Sequence, residues 1–126
     1  MNAAHLALSG YNASRSPIRT ERSIEYDVFA KVTHALKTAI TLGKPGFTAL
    51  ATALYDNRKL WTALASDVAV ATNPLPRQLR AQIFYLAQFT EFHSRKVLAG
   101  DATADPLVEI NTSIMRGLRN QIGAAT

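Results

Sequence analysis

The sequence predicts an all-α protein, a small helical bundle of four long helices preceded by a short, mobile N-terminal helix. Apolar residues recur every three or four positions in four segments, and glycine or proline separates each segment from the next. No segment alternates apolar and polar residues between hairpin turns, so we expect no strands. A chain of 126 residues, 48% of them hydrophobic, suits one compact core. We place the bundle at residues 20–122.

Residues 1–19 are expected to form the short N-terminal helix and a linker. Residues 13–19 combine small, polar and proline residues, which is typical of a linker. The apolar stretch from Leu6 to Leu8 is far shorter than a signal-peptide core, and a mitochondrial presequence is the less favoured alternative. The chain has no cysteine, and no apolar run is long enough to span a membrane. We therefore expect a cytoplasmic protein without membrane contact.

The first long helix is predicted to begin after Thr20, a suitable N-cap residue. Its apolar stripe contains a residue at every fourth position: Ile24, Val28, Val32, Leu36 and Ile40. Gly43 then provides a helix stop, and Pro45 with Gly46 favours a tight reversal. The second helix should therefore run antiparallel to the first.

The second helix contains an asparagine within its apolar face. The face consists of Phe47, Leu50, Leu54, Trp61, Leu64 and Val68, and Asn57 occupies the remaining position. An amide buried there without a hydrogen bond would cost about 1–3 kcal/mol, and Asn111 in the fourth helix presents the same problem. We expect one or both asparagines to bond backbone carbonyls of a neighbouring helix or loop. The alternative is a partner peptide lying in an open groove.

The third helix is predicted to start at Pro76, its first helical residue, and to end before Gly100. Its core-facing stripe is predicted to contain Leu79, Ile83, Leu86, Thr90, His93 and Val97, widened by Tyr85, Phe89 and Phe92. Two neighbouring helices could cover so broad a face. His93 is expected to be a core histidine that is hydrogen-bonded to the backbone.

The fourth helix is predicted from the pair Asp105–Pro106, with the aspartate as N-cap and the proline as first helical residue. Its apolar stripe contains Leu107, Ile110, Ile114 and Leu118, and Asn111 lies within it. Four helices with short connections are typical of a bundle.

The face of the third helix opposite the predicted core is the best candidate for a contact surface. It carries Arg77, Arg80, Phe84, Gln88 and Arg95, with Glu91 among them. The charges alone are typical of an ordinary solvated face, whereas an outward Phe84 favours an interface. The net charge of +5 permits contact with nucleic acid, but Glu91 among the basic residues disfavours it.

No pattern in the sequence predicts catalysis, a metal site or a cofactor. His5, His34 and His93 lie in separate segments, and none has a second ligand at the spacing that a metal requires. Ser94 points about 100° away from His93 around the helix, so the histidine cannot activate it. We therefore expect a protein with no catalytic residue, no metal and no cofactor, which acts by binding another macromolecule.

Several segments with polar residues occur in a specific order: Asn57–Trp61, then Asp67, Asn73–Arg80, His93–Leu98 and Ile110–Leu118. Together they resemble the flagellar biosynthesis regulator FlaF family, over nearly the whole chain. Each segment alone is only a helical pattern, and the order and spacing carry the specificity. The resemblance implies a non-enzymatic protein that works with the flagellin regulator FlbT and couples flagellin synthesis to export by binding flagellin.

The candidate partner-binding residues match the family's motif and are physically costly or unusual at their positions. They are Asn57, Trp61, Asn73, Arg80, Asn111 and Met115, to which the outward surface adds Phe84. The leading hypothesis is a chaperone-like protein that holds the amphipathic terminal helices of flagellin in an apolar groove. The alternative is a post-transcriptional regulator that acts through FlbT or by direct contact with flagellin mRNA.

Overall fold

The computed structural model describes residues 21–125, with side chains described from Tyr26 to Gly117 and at Arg119. Four long helices are present: α1 (Glu21–Leu42), α2 (Phe47–Val68), α3 (Arg77–Leu98) and α4 (Asp105–Ala125). A 3-10 helix (Lys44–Gly46) joins α1 to α2, and this part of the chain contains no strand. The prediction of an all-α fold with four long helices is confirmed. The predicted N-terminal helix and linker lie outside the described residues.

The connection between α1 and α2 is tight because two glycines occupy positions that a side chain would disturb. Gly43 has a φ of +64°, a backbone conformation that residues with a Cβ rarely adopt. A Cβ built on Gly46 would overlap the Cβ of Leu42. The Gly46 N–H donates to the Gly43 carbonyl at 2.9 Å and closes the turn. α2 therefore returns antiparallel to α1. Far from this turn, Phe29 of α1 packs against Trp61 of α2.

The starts of α3 and α4 each differ from the prediction by one residue. The Pro76 carbonyl accepts the N–H of Arg80, so Pro76 is the N-cap and α3 begins at Arg77. The Ala104 carbonyl accepts the N–H of Val108, so α4 already includes Asp105. An N-cap residue is the one whose carbonyl accepts the first bond of the helix, which explains both shifts.

The core consists of two apolar clusters at opposite ends of the bundle. The closed-end cluster lies beside the two connections at 43–46 and 99–104, and its buried members are Leu36, Ala53, Leu54, Val97, Ala104 and Leu107. The open-end cluster is built on buried Phe29, Trp61 and Ala87. The Phe29 and Trp61 rings meet edge to face, with centroids 5.8 Å apart.

A layer of polar residues separates the two clusters. All four helices contribute polar residues that are at most 2% exposed, namely Thr33, Asn57, Thr90, Ser94 and Asn111. Each lies along its helix between a residue of the closed-end cluster and one of the open-end cluster. Within this layer Asn111 Nδ2 donates to Asn57 Oδ1, and this bond restricts how α2 and α4 can be aligned.

Two of the residues predicted to widen the core face of α3 are exposed. α3 packs chiefly against α2, and α3 and α4 make the least contact of any adjacent pair of long helices. Tyr85 and Phe92 are consequently 66% and 62% exposed, so their predicted burial was wrong. Phe89 is half-buried and stacks on His93. One neighbouring helix covers a narrower strip of α3 than the two that the prediction assumed.

Phe47 was also predicted in the core and is 53% exposed. It is the first residue of α2, and Leu50 is the first residue of that stripe that packs on the closed-end cluster.

In the described part of the chain, no helix is sufficiently long and apolar to cross a bilayer.

Candidate partner-binding groove

An open groove of about 600 Å³ lies between α2 and α3. α2 lines it with Thr62, Ala65, Ser66 and Ala69, and α3 with Phe84, Ala87, Gln88, Glu91, Phe92 and Arg95. Both sets follow the spacing i, i+3, i+4, i+7 of a single helical face. We call this surface the α2–α3 groove.

The α2–α3 groove is lined by small residues of both helices and by two exposed phenylalanines of α3. Ala65, Ala69 and Ala87 leave space between the two helices. Phe84 is 42% exposed and Phe92 is 62% exposed, and both line the groove. Apolar surface in contact with water costs about 25 cal/mol per Å², and a cluster of such surface is typical of a binding site.

An ion pair joins α2 to α3 at one edge of the groove. Arg58 Nε donates to Glu91 Oε2 at 2.8 Å, and Arg58 Nη2 donates to Oε1 of the same carboxylate. Arg95 Nη2 donates to Glu91 Oε1 at 3.3 Å. The hydrogen bond from Arg58 lowers the pKa of Glu91, and the same bond raises the pKa of Arg58. Glu91 is therefore ionised at neutral pH, and its charge is already balanced by arginine.

Three of the predicted site residues form a buried network, which joins Trp61 of the open-end cluster to two asparagines of the polar layer. Trp61 Nε1 donates to Asn111 Oδ1 at 2.9 Å, and Asn111 Nδ2 donates to Asn57 Oδ1 at 2.8 Å. The expected bonds from the asparagines to backbone carbonyls were therefore wrong, because the two amides face each other between α2 and α4. All three residues are at most 1% exposed. These buried side chains therefore link α2 to α4 within the core.

Two further predicted residues stabilise the connection between α2 and α3. Asn73 Nδ2 donates to the Asp67 carbonyl at 3.1 Å, and Asn73 Oδ1 accepts the N–H of Leu75 at 3.0 Å. Arg80 Nη1 donates to the Val70 carbonyl at 3.4 Å.

The last two predicted residues lie on or near the surface. Met115 is half-buried and packs against the open-end cluster. Phe84 is the one candidate among the seven that lines the α2–α3 groove.

The sequence interpretation missed Phe92 and the small residues of α2. Phe92 was assigned to the core because it falls beside the apolar stripe. A usable signal was present, since Thr62, Ala65, Ser66 and Ala69 repeat at helical spacing and such small residues leave a shallow helix face. His93 bonds the backbone as predicted, with Nε2 at 2.7 Å from the Thr103 carbonyl, but it is half-buried, so its predicted place in the core was wrong.

The fold and groove define a small, all-helical protein with an exposed apolar surface between two antiparallel helices. The model of the family described as flagellar protein FlaF matches residues 7–118. The chain belongs to this family, as the resemblance indicated, and its role is therefore related to the flagellum. No curated protein and no solved structure matches the chain significantly.

Proposed function

We propose that the protein is a non-enzymatic, cytoplasmic regulator of flagellin synthesis and export that binds flagellin in a chaperone-like manner and works with FlbT. The observation that carries the binding role is the α2–α3 groove, in which Phe84 and Phe92 remain exposed. Family membership supplies the connection to the flagellum.

Helix-in-groove recognition is the mode that best suits this surface. An amphipathic helix binds by placing its apolar side chains, spaced i, i+3, i+4, i+7, into a groove between helices. The terminal helices of monomeric flagellin are amphipathic, and a bound protein would keep them from associating with one another before export.

The proposal is tested by calorimetric titration of the purified chain with monomeric flagellin from the same genome. The control is the same flagellin without its terminal helices. We expect saturable binding to the intact flagellin that weakens only modestly at the higher of two salt concentrations, and no binding to the truncated form. Absence of binding to intact flagellin would refute the proposal and make FlbT the next partner to test.

The second candidate is regulation at the mRNA level, through FlbT or by direct contact with flagellin mRNA. One observation favours direct contact: α3 carries four basic side chains and one acidic one, next to exposed aromatic rings on which bases could stack. Binding to RNA would weaken steeply with added salt, because it releases counterions from the phosphates. The two salt concentrations therefore separate this candidate from flagellin binding.

A further inference from the structure

The α2–α3 groove has the length of a site for one short helix. Its lining on α3 runs from Phe84 to Arg95, a distance of about 16 Å at 1.5 Å per residue. This corresponds to about three turns of a partner helix lying along it. The alanines that line the groove have short side chains. A third helix can therefore approach α2 and α3 to the distance of about 8–10 Å at which helices pack.

Phe84 and Phe92 are two helical turns apart on the same side of α3. Apolar side chains of a partner helix can therefore lie between the two rings and over Ala87. Aromatic residues in this position commonly provide most of the binding energy at an interface.

The rim of the groove is positively charged. Arg95 lines the groove, Lys96 Nζ lies 5.7 Å from the ring centroid of the lining residue Phe92, and the one carboxylate among the lining residues is that of Glu91. That carboxylate already accepts hydrogen bonds from Arg58 and Arg95. A partner helix with carboxylates beside its apolar stripe would complement this charge, whereas a second copy of the same basic helix would place like charges together.

We propose that the α2–α3 groove binds an amphipathic helix that carries carboxylates next to its apolar stripe. This inference rests on the proposed function, under which the helix is a terminal helix of flagellin. It adds the residues of the groove that contact the helix and the charge of the segment that the site selects.

The test is a titration of monomeric flagellin with variants of the full chain, by calorimetry. We expect Phe92→Ala to weaken binding by at least about tenfold, as for an aromatic residue at the centre of an interface. The matched control is Tyr85→Ala, because Tyr85 lies on the same helix, is 66% exposed and does not line the groove. Its affinity should stay within about twofold of the parent. Thermal unfolding of each variant verifies that the fold is retained.

A second pair of variants tests the charge. Arg95→Gln removes a positive charge from the rim, and Arg116→Gln removes one from the exposed surface of α4. We expect Arg95→Gln to weaken binding by about fivefold at low salt and Arg116→Gln to have a smaller effect. Equal effects of the two variants would overturn the charge preference.

The outcomes distinguish the location of the site from the function. If flagellin binds the parent chain and Phe92→Ala equally well, the groove assignment is wrong and the proposed function stands. If flagellin does not bind the parent chain, the proposed function and the assigned occupant both fail. A dimer of the free chain that Phe92→Ala dissociates would assign the groove to a second copy. Loss of RNA binding with unchanged flagellin binding would assign it to nucleic acid.

Discussion

The two ends of the bundle bury their apolar side chains to different extents. Among the described residues, the closed-end cluster has six buried members, contributed by all four helices and by the α3–α4 connection, and five that are half-buried. The open-end cluster has three buried members and nine that are half-buried. The closed end contains both short connections, whereas the open end contains the longer connection over residues 69–76.

The α2–α3 groove belongs to the open end, because Ala65 and Ala87 are part of both the groove and the open-end cluster. The comparison predicts that the closed end contributes more to stability, and the proposed contact surface lies at the open end. Incomplete burial at the open end leaves apolar surface for a partner.

The largest expected effect comes from truncating one apolar residue at each end. Leu107→Ala removes a side chain that is 1% exposed, so we expect it to lower the free energy of unfolding by about 2–5 kcal/mol. Ile114→Ala removes a half-buried side chain of the open end, and its cost should be less than half of that. Urea unfolding of both variants measures the difference. Equal costs would remove the distinction between the two ends.

The polar layer between the two ends gives the next largest effect. Asn111→Leu leaves Trp61 Nε1 without its acceptor and Asn57 Oδ1 without its donor. We expect a loss of about 2 kcal/mol in the free energy of unfolding, since each unpaired buried group costs about 1–3 kcal/mol before relaxation. Asn57→Leu should be less costly, because it leaves the bond between Trp61 and Asn111 in place. An Asn111→Leu variant as stable as the parent would show that the network contributes nothing to stability.

Two glycines, one at each end, should respond in opposite directions to alanine. Gly46→Ala places a methyl group against Leu42 in the closed end, and we expect a loss of about 1–2 kcal/mol in stability. Gly117→Ala adds a methyl group to an exposed position of α4 with no atom within 4 Å, and should stabilise the chain by about 0.5–1 kcal/mol. The shift in the midpoint of urea unfolding shows whether each variant is stabilised or destabilised. Stabilisation by Gly46→Ala would contradict the described turn.

The smallest effect concerns the pH dependence of the ion pair at the groove. The folded-state pKa of Glu91 is lowered, chiefly by the hydrogen bond from Arg58, so the pair stabilises the fold above the ordinary pKa of 4.5. This contribution is lost as the pH falls below 4.5 through the lowered folded-state pKa. Both side chains are about one-third exposed, so we expect at most about 1 kcal/mol. Arg58→Gln should reduce the loss of stability between pH 7 and pH 3. An unchanged loss would argue that the ion pair does not contribute to the stability of the fold.

The sequence was sufficient for most of the fold because its helix signals are local. Stripes such as Val28, Val32 and Leu36, and stops such as Gly43 and Gly100, depend on residues within a few turns of one another. The extent of burial on α3 depends instead on how many helices pack against it. For this reason Tyr85 and Phe92 were placed in the core and are exposed.

The candidate site was only partly predictable for a similar reason. The buried asparagines were identified as needing partners, but the partner of Asn57 is 54 residues away on α4. Phe84 was correctly identified as an outward aromatic residue. The groove that it lines also requires the small residues of α2, and their position opposite Phe84 follows from the antiparallel packing of α2 and α3.

The most direct test of a contact surface at the open end is hydrogen–deuterium exchange of the chain, alone and saturated with monomeric flagellin. We expect slower exchange on binding in residues 62–69 and 84–95, with little change in the closed-end segments of α1 and α4. Unchanged exchange in both groove segments at saturation, or slowing confined to the closed end, would contradict the proposed site.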